Sequence, residues 1–264
     1  MDERSKALRR LVIDTVVAGG RGHIGSAASL VEILRVLYDS WLRFRPNNPD
    51  WEMRDRFILS KGHGCLALYS LLADKGFFPI EELDSFCSFD SNLGGHPETK
   101  IPGVEASTGA LGHGLSIGIG LALAAKIRQE NHRVAVVMGD GETNEGSVWE
   151  AAMSAAKHRL NNLTVFIDYN KMQSYGLTSE VMELEPLSQK WRSFGFEVKE
   201  VDGHDVETLE AMVRSLPFHF EKPSGIICHT VKGKGFSVAE NQPDWHHKSR
   251  LSDIEVAELY KSLE

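Results

Sequence analysis

Short, nearly continuous apolar runs alternate with helix-length segments along most of the chain. The first quarter differs, because apolar residues recur there at helical spacing, at 8–16 and again at 30–37, with Ser26 placed to cap the second helix. Five strand-like runs follow, at 56–60, 133–138, 163–167, 196–201 and 224–230. Such strands separated by helices are typical of a parallel β-sheet with helices on both faces, so the pattern predicts an α/β fold.

The segments between the strands have the length of helices. We expect helices at 63–75, 109–129, 145–158 and 205–215. Neither an internal repeat nor a linker divides the sequence, so we interpret residues 1–264 as a single domain. Within this domain, residues 1–45 form a helical N-terminal segment and residues 236–264 form a looser C-terminal segment.

A polar, glycine-rich turn follows each predicted strand. The five turns are KGHG (61–64), GDGETNEG (139–146), DYNKMQS (168–174), DGHD (202–205) and VKGKG (231–235). In open parallel sheets the ligand crevice lies beyond the carboxyl ends of the strands. We therefore expect the five turns to meet at one edge of the sheet and to form the active site there.

Composition and charge exclude several classes of function. The chain has 29 basic and 37 acidic residues, a formal net charge of −8, and no basic tract, so we expect no nucleic-acid or anionic-membrane partner. Its apolar runs are far shorter than the roughly 20 residues of a membrane helix, and the charged N-terminal stretch lacks the core of an export signal. Three widely spaced cysteines without a C-x-x-C pair indicate neither a disulfide framework nor a zinc site, which fits a reducing cytoplasm.

The turns after the second and third strands carry candidate metal ligands. Asp140 lies in a GDG turn, and Asn170 follows the next strand thirty residues later. If the two strands are neighbours, their side-chain oxygens face each other, and a backbone carbonyl near Met172 adds a third oxygen of the kind that magnesium prefers. Asn162 has similar spacing, but it precedes the strand and should lie at the opposite edge.

These residues resemble the thiamine diphosphate fingerprint, and the accompanying motifs narrow the resemblance. In order along the chain they are GHIGS (22–26), SKGHG (60–64), GGHPE (94–98), STGALGHG (107–114) and KGKG (232–235). Together they resemble the N-terminal, diphosphate-binding half of transketolase, from about residue 20 to 247. The resemblance implies the thiamine diphosphate-binding form of the α/β fold.

The resemblance assigns the cofactor site residue by residue. Asp140 and Asn170 would be side-chain ligands of magnesium, or of another divalent cation such as Ca²⁺ or Mn²⁺, and Met172 would offer its carbonyl. Gly109 and Gly141 would present backbone N–H groups to the diphosphate.

Three more residues complete the implied cofactor site. His63 would lie near the diphosphate, and Leu111 would pack against the cofactor rings. Glu145 resembles the acidic residue that links the two cofactor sites across the dimer interface of the family.

Histidines would line the path of the sugar. His23 and His96 resemble the histidines of the family's substrate funnel, where imidazoles hydrogen-bond hydroxyl groups and move protons. One of His246 and His247 matches a further histidine that faces substrate and diphosphate, and we prefer His246.

Other polar residues near these motifs have open interpretations. His113 contacts substrate or only packs, and His229 lies in an apolar strand, which favours a core histidine. Lys232 and Lys234 approach a phosphate or form a solvated pair.

The implied reaction is ketol transfer, in which a two-carbon unit passes from a ketose to an aldose and the cofactor acts as the electron sink. The family's chain normally continues with a pyrimidine-binding and a C-terminal domain, which supply the glutamate that protonates the aminopyrimidine ring and most groups that hold the sugar's phosphate or other anionic group. This sequence stops at Glu264. We therefore expect a chain that is inactive alone and that forms an α2β2 complex with a second, C-terminal transketolase subunit.

Several alternatives remain. The α subunit of a 2-oxoacid dehydrogenase decarboxylase shares the magnesium fingerprint, but His23, His63 and His96 argue against it. A 1-deoxyxylulose-5-phosphate synthase shares the fold and is normally one chain. A non-catalytic cofactor-binding module is disfavoured because Asp140, Asn170 and the histidines are all present. A nicotinamide-binding Rossmann domain would need a G-x-G-x-x-G after its first strand, which this chain lacks.

Overall fold

The sheet matches the strands expected from the sequence. In the computed structural model, which describes residues 1–174 and 176–264, five parallel strands lie in the spatial order β1-β2-β3-β5-β4. Their bounds are Arg56–Leu59 (β1), Val134–Gly139 (β2), Leu163–Tyr169 (β3), Glu197–Asp202 (β4) and Ser224–His229 (β5). The predicted α/β fold with a parallel sheet is therefore confirmed.

Helices precede, separate and follow the strands. They are Glu3–Gly19 (α1), Ile24–Ala28 (α2), Val31–Val36 (α3), Cys65–Asp74 (α4), Gly114–Arg128 (α5), Gly146–Lys157 (α6), Thr178–Val181 (α7), Leu187–Ser193 (α8), Val206–Arg214 (α9) and Asp253–Lys261 (α10). A wider π-helical turn, Leu37–Trp41, continues α3, and short 3-10 turns occupy Gly62–Gly64, Ile80–Ser85, Gly141–Asn144 and Pro243–Trp245. In the described part of the chain, no helix combines the length and the apolar character that crossing a membrane requires.

The inner strands β2 and β3 are largely apolar because both faces of the sheet are covered there, whereas the edge strand β4 keeps exposed polar residues. Ala135 and Val137 of β2 pack into a core shared with α1–α4 and α9, whereas Val134, Val136 and Met138 pack into a second core with α5, α6 and α8. Every residue of β2 and β3 is buried. Successive side chains of a strand point to opposite faces, so a strand covered on both faces favours apolar residues. Along β2 and β3, most polar residues of the site therefore lie at the strand ends and in the turns that follow.

Two helix boundaries differ from the sequence prediction. The helix expected at 109–129 begins only at Gly114, because Gly109 and Gly112 have positive φ angles of 145° and 84° and form a loop. Ser26 does not cap a helix, since it lies within α2, and His23 occupies the position before the first helical residue.

The C-terminal segment contains a helix that the sequence did not indicate. Ser252 and Glu255 cap the start of α10 reciprocally. Leu259 is fully buried, and the hydroxyl of Tyr260 donates to Asp14 of α1 at 2.5 Å. The last residues of the chain therefore pack against the first helix.

A buried ion pair connects α1 with α3 and with the turn after β5. The Arg9 guanidinium, with no exposed surface, donates to both carboxylate oxygens of Glu32 at 2.5 and 2.9 Å and to the Lys234 carbonyl at 2.8 Å. Val231 N–H donates to Nε2 of His204, so Nδ1 carries the proton that His204 donates to Glu32 at 2.9 Å. Burial opposes ionisation of Glu32, but His204 and Arg9 outweigh it and lower the pKa of this carboxyl to about 2.

Removing Arg9 from the ion pair should lower the stability of the protein. We expect Arg9→Met to lower the free energy of unfolding by about 3 kcal/mol, because the Glu32 charge stays buried without its cation. The matched control is Arg214→Met, which removes an exposed arginine paired with Glu210 on α9 and should change stability by less than about 1 kcal/mol. Urea unfolding measures the free energy of unfolding of both variants. Equal decreases in the two variants would contradict a special contribution of the buried Arg9–Glu32 pair to stability.

Candidate active site

One cavity of about 380 Å³ lies at the carboxyl ends of β1, β2, β3 and β5. We call it the strand-end cavity. Eleven of the twelve residues that the sequence nominated line it: His23, His63, His96, Gly109, Leu111, Asp140, Gly141, Glu145, Asn170, Met172 and His246. The twelfth, His247, lines an adjoining cavity of about 390 Å³ together with Arg21, Cys65, Cys87, Ser88 and the shared residues His23 and His96.

The turn after β4 does not reach the strand-end cavity. Strand β4 lies at the edge of the sheet beyond β5. Its DGHD turn therefore lines a separate depression with His229 and Lys234. The expected convergence of five turns holds for four of them.

A buried carboxylate at the end of β3 organises the floor of the strand-end cavity. Asp168 has no exposed surface and accepts hydrogen bonds from Lys61 at 2.5 Å, from Ser29 at 2.7 Å and from Thr230. Burial opposes ionisation of Asp168, but the Lys61 ammonium outweighs it and lowers the pKa of the carboxyl. Asp168 is therefore a fixed negative charge whose partners come from β1, α2 and the turn after β5.

The candidate metal ligands surround this floor. Asp140 accepts from the backbone N–H groups of Gly141 at 2.7 Å and Lys171 at 2.5 Å. Burial, and then the nearby Asp168 charge, raise the pKa of Asp140 to about 7. A cation bound here would offset both effects, since opposite charge favours the carboxylate.

The Asn170 amide has a defined orientation. Its Nδ2 donates to Asp168 at 3.2 Å, and its Oδ1 accepts from the Met172 N–H at 3.1 Å. The amide oxygen is thereby distinguished from the nitrogen, and both Asn170 and Asp140 line the cavity. The Met172 carbonyl is the third oxygen and accepts from Lys232 at 3.1 Å. Asn162, in contrast, donates to the Ala122 carbonyl at the opposite end of β3.

The donor set fits a divalent cation bound with phosphate oxygens. Across residues 1–174 and 176–264, no group of three or more histidine, cysteine, aspartate or glutamate side chains is arranged to hold a metal. A metal at Asp140 would therefore have one carboxylate and neutral oxygens, the set that magnesium uses when phosphate completes its shell. Gln173 Nε2 is buried in the same wall with no hydrogen-bond partner among the described residues, and it offers a donor to such a phosphate.

Glycines bring the backbone to the cavity wall. A Cβ on Gly141 would lie 2.7 Å from Cγ of Gln173, and one on Gly112 would lie 2.6 Å from Cβ of Glu145. The buried Glu142 carboxylate accepts from the N–H groups of Gly112 at 2.9 Å and Gly139 at 3.1 Å, which fixes the loop that carries Leu111. A side chain at Gly112 would push its loop away from Glu145, and one at Gly141 would displace Gln173 in the turn after β3.

Five imidazoles form a cluster centred on His23. Ring centroids of His63, His96, His246 and His247 lie 5.4, 6.2, 5.4 and 4.5 Å from the His23 centroid. An antiparallel bridge between Gly22 and Lys248 places His23 beside His247. Residues near both ends of the chain therefore complete the same cluster.

Burial keeps His23, His63 and His246 neutral. It lowers the pKa of His23 to about 3, with further contributions from His247 and His246, and it lowers the pKa of His63 far below its ordinary value. Burial, Lys232 and Lys61 lower the pKa of His246 to about 4. At neutral pH these rings can each donate one hydrogen bond and accept one.

Lys232 sets the tautomer of His246. The buried ammonium donates to the Met172 carbonyl and to Nδ1 of His246 at 2.7 Å. An ammonium has no lone pair to accept with, so Nδ1 is the acceptor and Nε2 of neutral His246 carries the proton. Burial, and then Lys61, lower the pKa of Lys232 to about 8.

Several site residues were not identified from the sequence. Lys61, Asp168, Glu142 and Gln173 lie in the turns that the sequence placed at the active site, but no individual role was predicted for them. Three other residues with open interpretations have the following surroundings. Lys234 pairs with Glu240 at the surface, His229 is a half-exposed partner of Glu200 rather than a core residue, and exposed His113 hydrogen-bonds the Leu111 carbonyl.

The chain belongs to the transketolase family. A family model described as the thiamine diphosphate binding domain of transketolase matches residues 2–264. The chain is 42% identical to one subunit of the apulose-4-phosphate transketolase of Phocaeicola vulgatus, over 99% of this chain and 91% of that protein. It is 40% identical to a 6-deoxy-6-sulfo-D-fructose transketolase subunit of a Clostridium species, over 99% and 96%.

Solved structures also place the chain in the transketolase family. The transketolases of Pichia stipitis and Campylobacter jejuni superpose with TM-scores of 0.92, each at 32% identity and over 99% of this chain. The chain spans only 40% and 42% of those two proteins. It is therefore similar to complete subunits of some relatives and to one domain of others.

The neutral state of His23 can be observed directly. With a pKa of about 3 in the folded protein and about 6.5 when unfolded, the ring gains no proton between pH 8 and 5 in the native state. The unfolded chain does gain one below about pH 6.5, so His23 reduces stability as the pH falls from there and has no effect above it. Long-range ¹H–¹⁵N NMR, assigned with His23→Gln and referenced to free histidine, measures the titration. A titration midpoint of His23 near pH 6.5 in the folded protein would contradict the lowered pKa of this imidazole.

Proposed function

We propose that the chain is the diphosphate-binding subunit of a two-chain transketolase that transfers a two-carbon ketol unit from an anionic ketose to an aldose. The proposal rests on one observation: the candidate metal ligands Asp140, Asn170 and Met172 line the same cavity as the histidine cluster around His23. Support comes also from the two relatives named as transketolase subunits, which this chain matches over nearly their whole length. Their names specify sugars with a phosphate or a sulfo group.

The proposed cofactor arrangement uses the residues of the strand-end cavity. Asp140, Asn170 and the Met172 carbonyl hold Mg²⁺, or Ca²⁺ or Mn²⁺, and the cation neutralises the buried carboxylate. The backbone at Gly109 and Gly141 approaches the diphosphate, with the glycines providing the room that a Cβ would fill. His63 and Nε2 of Gln173, which has no hydrogen-bond partner in the described ranges, donate to it, and Leu111 packs against the rings.

The histidines of this chain bind and orient the sugar. Thiamine diphosphate supplies the electron sink for cleavage of the carbon–carbon bond next to a ketose carbonyl. His23, His96 and His247 are close enough to one another to hold successive hydroxyl groups. The Nε2–H of His246 faces Ser174 Oγ at 3.1 Å and reaches the sugar by exchanging that partner for a sugar hydroxyl. Neutral imidazoles can also accept a hydroxyl proton, which a protonated cluster could not do.

A second subunit would cover the mouth of the cavity. Exposed Glu145 lines the cavity and directly precedes α6, and the helices on this side of the sheet carry exposed apolar side chains: Ile117 and Ile127 on α5, and Met153 on α6. Exposed apolar side chains favour a protein partner when they form one patch. We propose a C-terminal, pyrimidine-binding transketolase subunit in this position and an α2β2 complex, with Glu145 at the interface.

The two asparagines that flank β3 provide a matched test of the metal site. We expect Asn170→Ala to weaken Mg²⁺-dependent binding of thiamine diphosphate to the two-subunit complex by at least about tenfold. Asn162→Ala removes the same group at the other end of the strand and should leave the affinity unchanged. Isothermal titration calorimetry with and without EDTA measures both, and equal affinities of the two variants would exclude Asn170 as a ligand.

The two-chain proposal is tested by reconstitution. We expect the purified chain to show no ketol transfer, and the complex with the product of the adjacent open reading frame to show transfer that depends on thiamine diphosphate and Mg²⁺. Activity of the purified chain alone would contradict the need for a partner. A complex that neither binds the cofactor nor transfers ketol units would indicate a non-catalytic role.

A further inference from the structure

The adjoining cavity is not used by the cofactor residues. It shares His23 and His96 with the strand-end cavity, so the two cavities meet at the histidine cluster. Its volume of about 390 Å³ is similar to that of the strand-end cavity. A sugar whose reacting end lies among the histidines has room to extend into it.

Arg21 gives this cavity a positive charge. It is the only lysine or arginine, and there is no aspartate or glutamate, among the described residues that line the cavity. Neither a hydrogen bond nor an ion pair engages the Arg21 side chain within the described part of the protein. Arg21 and Cys87 line the same cavity. Burial raises the pKa of the Cys87 thiol, and the Arg21 charge acts in the opposite direction.

The backbone around Arg21 is held in place. Gly22 and Lys248 exchange two hydrogen bonds of 2.9 Å, which anchor the loop one residue from Arg21. The other cation of this bridge, Lys248, is occupied by Glu255 at 2.7 Å. Arg21 is thus a free guanidinium on an anchored loop, two residues from His23.

We propose that Arg21 binds the terminal oxyanion of the sugar substrate, a phosphate or a sulfonate, in the adjoining cavity. This specificity-determining role rests on the proposed transketolase function. A guanidinium matches the paired oxygens of both anions, and the contact lies at the end of the sugar away from the reacting bond. Arg21 therefore contributes to binding of anionic sugars and not to the chemistry at the carbonyl.

The test uses the two-subunit complex and three ketoses with one carbon skeleton: D-fructose 6-phosphate, 6-deoxy-6-sulfo-D-fructose and D-fructose. We expect Arg21→Met to raise KM for the charged ketoses about tenfold or more, with kcat little changed, and to leave kcat/KM for D-fructose within about twofold. Arg21→Lys should restore part of the loss. Arg250→Met removes an exposed arginine that lies outside both cavities and serves as the control.

Measuring sugar binding in the absence of the reaction tests the role of Arg21 independently of the proposed transketolase function. Calorimetry on the complex without thiamine diphosphate should show weaker binding of D-fructose 6-phosphate to Arg21→Met and no change with Arg250→Met. An active wild-type complex whose charged and neutral donors respond equally to Arg21→Met would overturn the Arg21 role alone. Arg21-dependent binding of the anionic sugar by a complex without ketol transfer would overturn the proposed function and support the anion site.

Discussion

The fully buried carboxylate of Asp168 is the constraint on which the site depends. A charge removed from water costs several kcal/mol unless partners replace its hydration. Those partners are Lys61 after β1, Ser29 after α2 and Thr230 after β5, so three distant parts of the chain must meet at the end of β3. Asn170 also donates to Asp168, which means that the orientation of a candidate metal ligand follows from the same charge.

Charge is distributed unevenly across the site. Asp140 and Glu142 lie in the turn after β2 and Asp168 lies near the end of β3, whereas His23, His63 and His246 are neutral at physiological pH. The buried ammonium of Lys232 lies between them and contacts both the Met172 carbonyl and His246. This arrangement keeps proton-accepting imidazoles beside a region suited to a cation and a diphosphate, because the lysine disfavours a second positive charge on His246.

The sequence predicted much of this site because its signals are local. Strands with two buried faces are apolar throughout, and the turns that follow them collect Asp140, Asn170 and the glycines. The roles of Lys61 and Asp168 were not predictable in this way, since they are 107 residues apart and each can be buried only because the other is present. The late start of α5 depends similarly on the long-range bond from Gly112 to Glu142.

The bridge between Gly22 and Lys248 has a consequence for the order of folding. Sheet strands and their covering helices are complete by residue 229, yet His23 meets His246 and His247 only when the chain beyond that point has been synthesised. Contacts of such sequence separation form slowly, because a long loop must close before they add stability. During translation the sheet can therefore form before the histidine cluster exists, and the nascent protein has its scaffold before it has its complete binding surface.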